Sequence, residues 1–154
     1  MQRYQSLRSQ MLSSFCKIAN TALREEAITH TLGVADAAIL LAHRRKLNIE
    51  WCASAALLHD ISIYLYNSGH SMHAQKSAQY AEAWLNQNHF LDEEIEAIIK
   101  AIKNHSNKDR KDDDYSEALK DADVFARYLQ EDLIPASQQR RIRLIQLTKE
   151  LQLM

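Results

Sequence analysis

His59 and Asp60 stand side by side at the end of a run of small and apolar residues, Trp51 to Tyr64, WCASAALLHDISIY. Imidazole nitrogen and carboxylate oxygen both ligate divalent transition metals, and both accept protons in hydrolytic chemistry. A carboxylate set among hydrocarbon costs several kcal/mol unless it is paired, hydrogen-bonded or bound to a cation. Asp60 therefore needs partners. Residues of the right kind recur elsewhere in the chain at inward-facing positions: His30, His73, His105, and one of Asp121 or Asp123. Taken singly, a histidine on an apolar face is more often a core residue bonded to a backbone carbonyl. Five histidines and aspartates sharing that placement with Asp60 point instead to a metal site for zinc, iron, manganese, cobalt or nickel, built from facing helices.

Helices must supply these positions. Glycine (2) and proline (1) are so scarce among 154 residues that long helices with short connections are predicted, in an all-α bundle of about six to seven helices. The length suits one domain with a core of its own, here residues 1–154. A first packing helix is predicted over about 5–22 from Leu7, Met11, Phe15 and Ile18. A second, over about 25–44, places His30, Gly33, Val34, Ala37, Ala38 and Leu41 on one face. The third, from about Ile49, carries Cys52, Ala55, Ala56, His59, Asp60 and Ile63 in the same relation, so His59 and Asp60 lie about 100° apart on its inner side. A turn at Asn67-Ser68-Gly69 precedes a helix with Ser71 as N-cap and a face through His73, Ser77, Tyr80, Ala81 and Trp84. The acidic triplet 92–94 opens the next helix, whose stripe Ile95, Ile98, Ile99, Ile102 ends at His105. Residues 106–115, SNKDRKDDDY, are all polar and read as an exposed loop. A helix over about 116–131 has its apolar arc at Ala118, Leu119, Ala122, Phe125, Ala126 and Leu129, and Asp121 and Asp123 flank this arc equally, so periodicity alone does not choose between them. Pro135 suits the first turn of a last helix.

Composition removes other function classes. With 25% charged residues and a net charge of -1, the chain lacks the basic field of a duplex nucleic-acid binder, though a nucleotide ligand is compatible with it. Cys16 and Cys52 are too sparse for a thiolate zinc site and read as reduced, buried small residues. Arg3, Arg8 and Lys17 interrupt the N-terminal stretch, so no signal peptide is expected, and no apolar run approaches the roughly 20 residues of a membrane span. A soluble cytoplasmic protein without a membrane partner is the expectation. His43, opposite His30 on its helix, and His89, in a loop, are expected at the surface, and His70 is either a turn residue or a substrate contact.

The order His, then His-Asp, then a distant Asp resembles the HD-domain superfamily of metal-dependent phosphohydrolases. The residues that carry the resemblance are ITHTLGVADAAILLA around His30, AALLHDIS around His59-Asp60, and LKDADVFARY around Asp123, spanning about 27–128. In that family the last aspartate follows an alanine and precedes an apolar residue, which selects Asp123. The resemblance thus implies His30, His59, Asp60 and Asp123 as metal ligands. Many members add two histidines that bind a second metal or the substrate phosphate, and His73 in MHAQKSA and His105 in IKNHS match them in order. HTLGVA and LLHDIS also look like the small bacterial hydrolases that split diadenosine tetraphosphate, but those continue Tyr-Ile-Glu after the last aspartate where this chain has Val124-Phe125-Ala126.

What the resemblance implies is a phosphohydrolase with one or two divalent ions, acting on a nucleotide or other small phosphoester, with Asp60 anchoring the attacking water and accepting its proton. Lys103, Lys108, Arg110, Lys111 and Arg127 lie near the site residues in sequence and are either solvated or substrate-facing; an Arg127–Asp123 ion pair is the plainer expectation for the last. The rivals are a non-catalytic HD module that binds a nucleotide or partner protein, and a purely structural bundle. The amphipathic terminal helices are candidates for a homodimer interface.

Overall fold

Asn20, Asn48 and Ser137 each turn a side-chain oxygen onto a backbone amide three residues on, and each starts a helix. A computed structural model describes residues 1–131 and 135–153. Its helices are α1 (Gln2–Phe15), α2 (Thr21–Arg45), α3 (Ile49–Leu58), α4 (Ile61–Tyr64), α5 (His73–Gln87), α6 (Asp92–Asn104), α7 (Asp114–Glu131) and α8 (Gln138–Glu150). No strand occurs among the described residues. The all-α expectation holds, and the extra segment arises because the third predicted helix is broken.

That break falls at His59-Asp60. Asp60 leaves helical geometry, with φ -115° and ψ 16°, and α4 follows as a single turn. The freed amide of Ser62 is taken by Ser77 Oγ (3.2 Å), which also donates to Ser62 Oγ (2.9 Å). Other boundaries moved for local reasons. The first helix stops at Phe15 because Asn20 caps a new one from Thr21. Met72 in the left-handed region, φ 56°, precedes α5 and makes no side-chain cap, so Ser71 is not the N-cap. Pro135 lies before α8, whose first turn is capped by Ser137.

α2 runs through the middle and packs most extensively on α3 and α7, with α5 and α6 paired beside them. The buried apolar residues form one cluster, from Leu7, Met11 and Phe15 of α1 through Leu57 and Leu58 to Ile98, Ile102 and Leu119. Each fully buried leucine or isoleucine there contributes roughly 1.5–3 kcal/mol. Gly33 lets the Gln130 side chain cross α2 to donate to Thr29 O (2.7 Å), where a Cβ would meet it. Two expected core positions face outward: Leu129 and Tyr80 are exposed, and Tyr80 stacks on Tyr66 with ring centroids 3.6 Å apart. Cys16 is exposed too, just past the end of α1, while Cys52 is buried as expected. No helix among the described residues is long and apolar enough to cross a membrane.

At one end Arg3 closes the bundle, bonding Glu50 (2.8 Å) and Glu94 (2.5 Å) and lying over the Phe90 ring. Hydrogen bonds from Arg3 come first in holding the Glu94 carboxyl down to about 2, from an ordinary 4.5, against its burial. A carboxyl depressed on folding stabilises the native state above its unfolded value and loses that contribution as pH falls through the folded one. Thermal stability should therefore decline between about pH 4.5 and 2. Glu94→Gln should flatten this part of a calorimetric pH series; a mutant profile parallel to wild type would remove the network from the account.

Candidate metal centre

The six predicted residues converge from five helices and one junction. His30 lies within α2, His59 caps the end of α3, Asp60 occupies the break, His73 opens α5, His105 ends α6, and Asp123 lies on α7. Three of the histidines sit at helix ends, and each Nδ1–H donates to a carbonyl three residues back: Ala56 O (2.7 Å), His70 O (2.8 Å) and Ile102 O (2.7 Å). These bonds place a proton on Nδ1 and turn Nε2 toward the cluster, where it could ligate a metal. His30 differs, since its buried Nδ1 has no partner among the described residues.

The Nε2 atoms meet in pairs. His30 and His59 approach to 3.2 Å, and His73 and His105 to 3.1 Å. Asp60 stands between the pairs: Oδ2 is 3.6 Å from His30 Nε2 and 3.2 Å from His59 Nε2, whereas Oδ1 is 3.4 Å from both His73 and His105. Donor atoms of His30, His59 and Asp60 form one group lying within 4.8 Å of one another, and those of Asp60, His73 and His105 form a second. Asp123 Oδ1 joins the first side, 3.4 Å from His30 Nε2. Lone pairs aimed at each other at such distances repel unless a cation or a proton sits between them.

Asp60 Oδ1 and Asp123 Oδ1 are buried with no hydrogen-bond partner among the described residues. Burial is the largest influence on His30 and His105 and lowers both imidazoles. Burial acts the same way on His59, but Asp60, Asp123 and the Ala56 carbonyl outweigh it and raise that ring. Burial would raise Asp60, yet His59, His105 and His30 hold it well below the usual carboxylate range. Asp123 is likewise depressed, against its burial, by Lys108 first and then His59 and His30. Both carboxylates are thus held as anions beside the lowered imidazoles of His30 and His105, as a divalent metal requires of its ligands, while the raised His59 ring reflects how strongly Asp60 and Asp123 attract positive charge. The donor set fits a transition ion, and the unsatisfied oxygens are the atoms that an ion would satisfy.

Lys108 is the residue that composition misplaced. It lies in the segment expected to be an exposed loop, yet it is buried, and its Nζ donates to Asp123 Oδ2 (2.6 Å) and to the His105 carbonyl (2.7 Å). Burial lowers its ammonium against the pull of Asp123. The segment is tied down from two sides. Fully buried Lys120 reaches Asp112 (2.6 Å) and Arg110 O (2.7 Å), and Arg143 of α8 reaches Lys108 O (2.8 Å). No periodicity marks Lys108; only its position three residues after His105 hints that it lies near the site. Asp121 faces away from the cluster, pairing with Arg45 (2.8 Å) and Arg143 (3.0 Å).

A cavity of about 160 Å³ opens onto the cluster, lined among others by Asp60, His73, His105, Asp123, Arg127 and Arg140. Arg127 Nε lies 3.5 Å from Asp123 Oδ1, the expected ion pair, and still borders this space. Exposed His70 lines the mouth, while His43 and His89 are exposed as expected. Arg110 pairs with Asp112, and Lys103 and Lys111 are exposed. A larger groove of about 520 Å³ between α5 and α6 presents only exposed ionisable groups, Glu82, Asp92, Glu96, Lys100 and Lys103. It offers no converging ligands, whereas the smaller cavity borders both donor groups.

Comparison with known proteins bears on the fold and the family. A crystal structure described as a predicted HD superfamily hydrolase, from an uncultured Thermotogales bacterium, superposes with a TM-score of 0.63 at 23% identity, covering 94% of this chain and 88% of that one. At that identity the likeness carries the fold. No curated protein matches the chain. The HD domain family matches residues 27–128, the segment that contains all six clustered residues and Lys108, and the chain therefore belongs to the HD domain family.

Proposed function

We propose that the protein is a metal-dependent phosphohydrolase acting on a nucleotide or other small phosphoester. The observation that carries this reading is Asp60, an ionised buried carboxylate with one oxygen facing each histidine pair. The ligands are His30, His59, Asp60 and Asp123 on one side and Asp60, His73 and His105 on the other. A divalent ion held there lowers the pKa of a bound water toward neutrality and polarises a phosphoryl oxygen. The chain's own residues do the rest. The Nδ1 bonds of His59, His73 and His105 keep three Nε2 atoms aimed inward. Lys108 occupies Asp123 Oδ2 and leaves Oδ1 for the site. Asp60 is the proton acceptor for the attacking water, and Arg127, half-buried at the cavity wall, meets phosphate oxygens.

Metal analysis of the purified protein, followed by a screen of nucleotides and phosphoesters with added manganese, tests this reading. Bound transition metal together with phosphate release is the expected result. Protein that neither retains nor takes up metal, yet binds a nucleotide or partner normally, would identify a non-catalytic HD module.

A further inference from the structure

The cavity over the cluster is too small for a whole nucleotide. Its volume of about 160 Å³ is well under the roughly 300 Å³ at which small-molecule sites begin. A second space of about 280 Å³ adjoins it, lined by Ser106, Lys108, Asp109, Ser137, Gln139 and Arg140. Ser106 and Arg140 border both, so they form the passage between the reacting centre and the outer space.

Arg140 belongs to α8, beyond residues 27–128 that match the family. α8 is held in place by other residues: Arg143 bonds Lys108 O, Glu117 (2.8 Å) and Asp121 (3.0 Å), and Glu150 pairs with Arg45 (2.7 Å). Among the described residues the Arg140 guanidinium makes no ion pair or hydrogen bond; only its backbone amide is engaged, by Ser137 Oγ. A half-buried arginine on a fixed helix, bordering a metal cavity without a carboxylate partner, is suited to an anion brought by a ligand. The outer space beyond it offers hydroxyl, amide and carboxylate groups of Ser137, Gln139 and Asp109. These suit the hydroxyls of a sugar better than further phosphate, because Asp109 repels an anion.

We infer that Arg140 binds the phosphate adjacent to the one being hydrolysed, so that the substrate carries at least two linked phosphates, with its sugar end in the space between α8 and residues 106–109. The inference rests on the phosphohydrolase reading and narrows it. The reaction is then attack of water on the terminal phosphorus with cleavage of the bridging P–O bond; inorganic phosphate is released, and the shortened phosphate, still beside Arg140, leaves as the other product.

Binding of two non-reacting anions to the manganese-loaded protein tests this by calorimetry. Imidodiphosphate spans both positions, and inorganic phosphate fills only the inner one. Wild type should bind imidodiphosphate more tightly than phosphate. Arg140→Ala, with circular dichroism unchanged, should weaken imidodiphosphate by about tenfold or more, as loss of a charge-assisted hydrogen bond does, and leave phosphate within about twofold. Arg140→Lys should recover part of the loss. Equal affinities of wild type and Arg140→Ala for imidodiphosphate, or a parallel loss for both anions, overturns the subsite and leaves the phosphohydrolase reading intact. Failure of wild type to bind either anion overturns that reading and the subsite with it.

Discussion

Asp60→Ala should abolish metal binding and hydrolysis together, whereas His73→Ala should remove only part of the metal. The asymmetry follows from how Asp60 is shared. Its Oδ2 faces His30 and His59, its Oδ1 faces His73 and His105, and no other carboxylate contacts both pairs among the described residues. Loss of Asp60 also leaves the His73–His105 pair without a carboxylate and the His30–His59 pair with Asp123 alone, so an ion at either position loses charge compensation as well as a ligand. Activity should fall by more than the roughly 10²- to 10³-fold that removal of one electrostatic transition-state donor costs. His73 touches only the second group and is the least buried of the six clustered residues. Elemental analysis of the two variants beside wild type reads the result directly. If His73→Ala retains all the metal of wild type, that histidine is no ligand; if it loses all of it, the two groups hold one ion in common.

Lys108→Met should cost about 3–5 kcal/mol in chelator-treated protein, the usual penalty for removing one partner of a buried ion pair. The lysine and Asp123 are both buried, with Nζ and Oδ2 2.6 Å apart. For a chain of 154 residues this corresponds to a melting temperature lower by on the order of 10 °C. Excess manganese should narrow the gap between variant and wild type, because an ion near Asp123 Oδ1 supplies part of the missing positive charge, and a ligand that binds only the native state raises its stability. Paired melts with and without metal separate this from a packing defect. A gap that metal leaves unchanged would place Asp123 outside the metal set and make its contact with Lys108 structural.

Much of the centre was legible because helices repeat. A period of 3.6 residues puts His30 on the face of Val34 and Leu41, and His105 at the end of the Ile95 and Ile102 stripe, whatever the helices later pack against. Caps were less legible. Asn20 and Asn48 stand where a cap is favoured, but Met72 starts α5 from a left-handed backbone that its side chain does not advertise. Periodicity also misread the third helix, which it continues through His59 to Ile63, because nothing in a helical wheel marks a residue whose amide is to be satisfied by Ser77 from another helix.

The sequence by itself determined the all-α class, the inward placement of the histidines, and the adjacency of His59 and Asp60, because these depend on residue type and spacing along one chain segment. Periodicity could not separate Asp121 from Asp123, which only the family resemblance distinguished, and the physical difference between them comes from the tertiary structure. The two flank one apolar arc symmetrically, and what distinguishes them is the neighbour each meets: Arg45 and Arg143 for the first, His30 and Lys108 for the second. The same holds for Lys108. A lysine in a polar run is solvated by default, and it becomes buried here because Arg143 and Lys120 tie its segment down over Asp123, whose charge compensates the ammonium. Local sequence carries periodicity and propensity, but the partner that makes a buried charge tolerable comes from a distant part of the chain, and that choice belongs to packing.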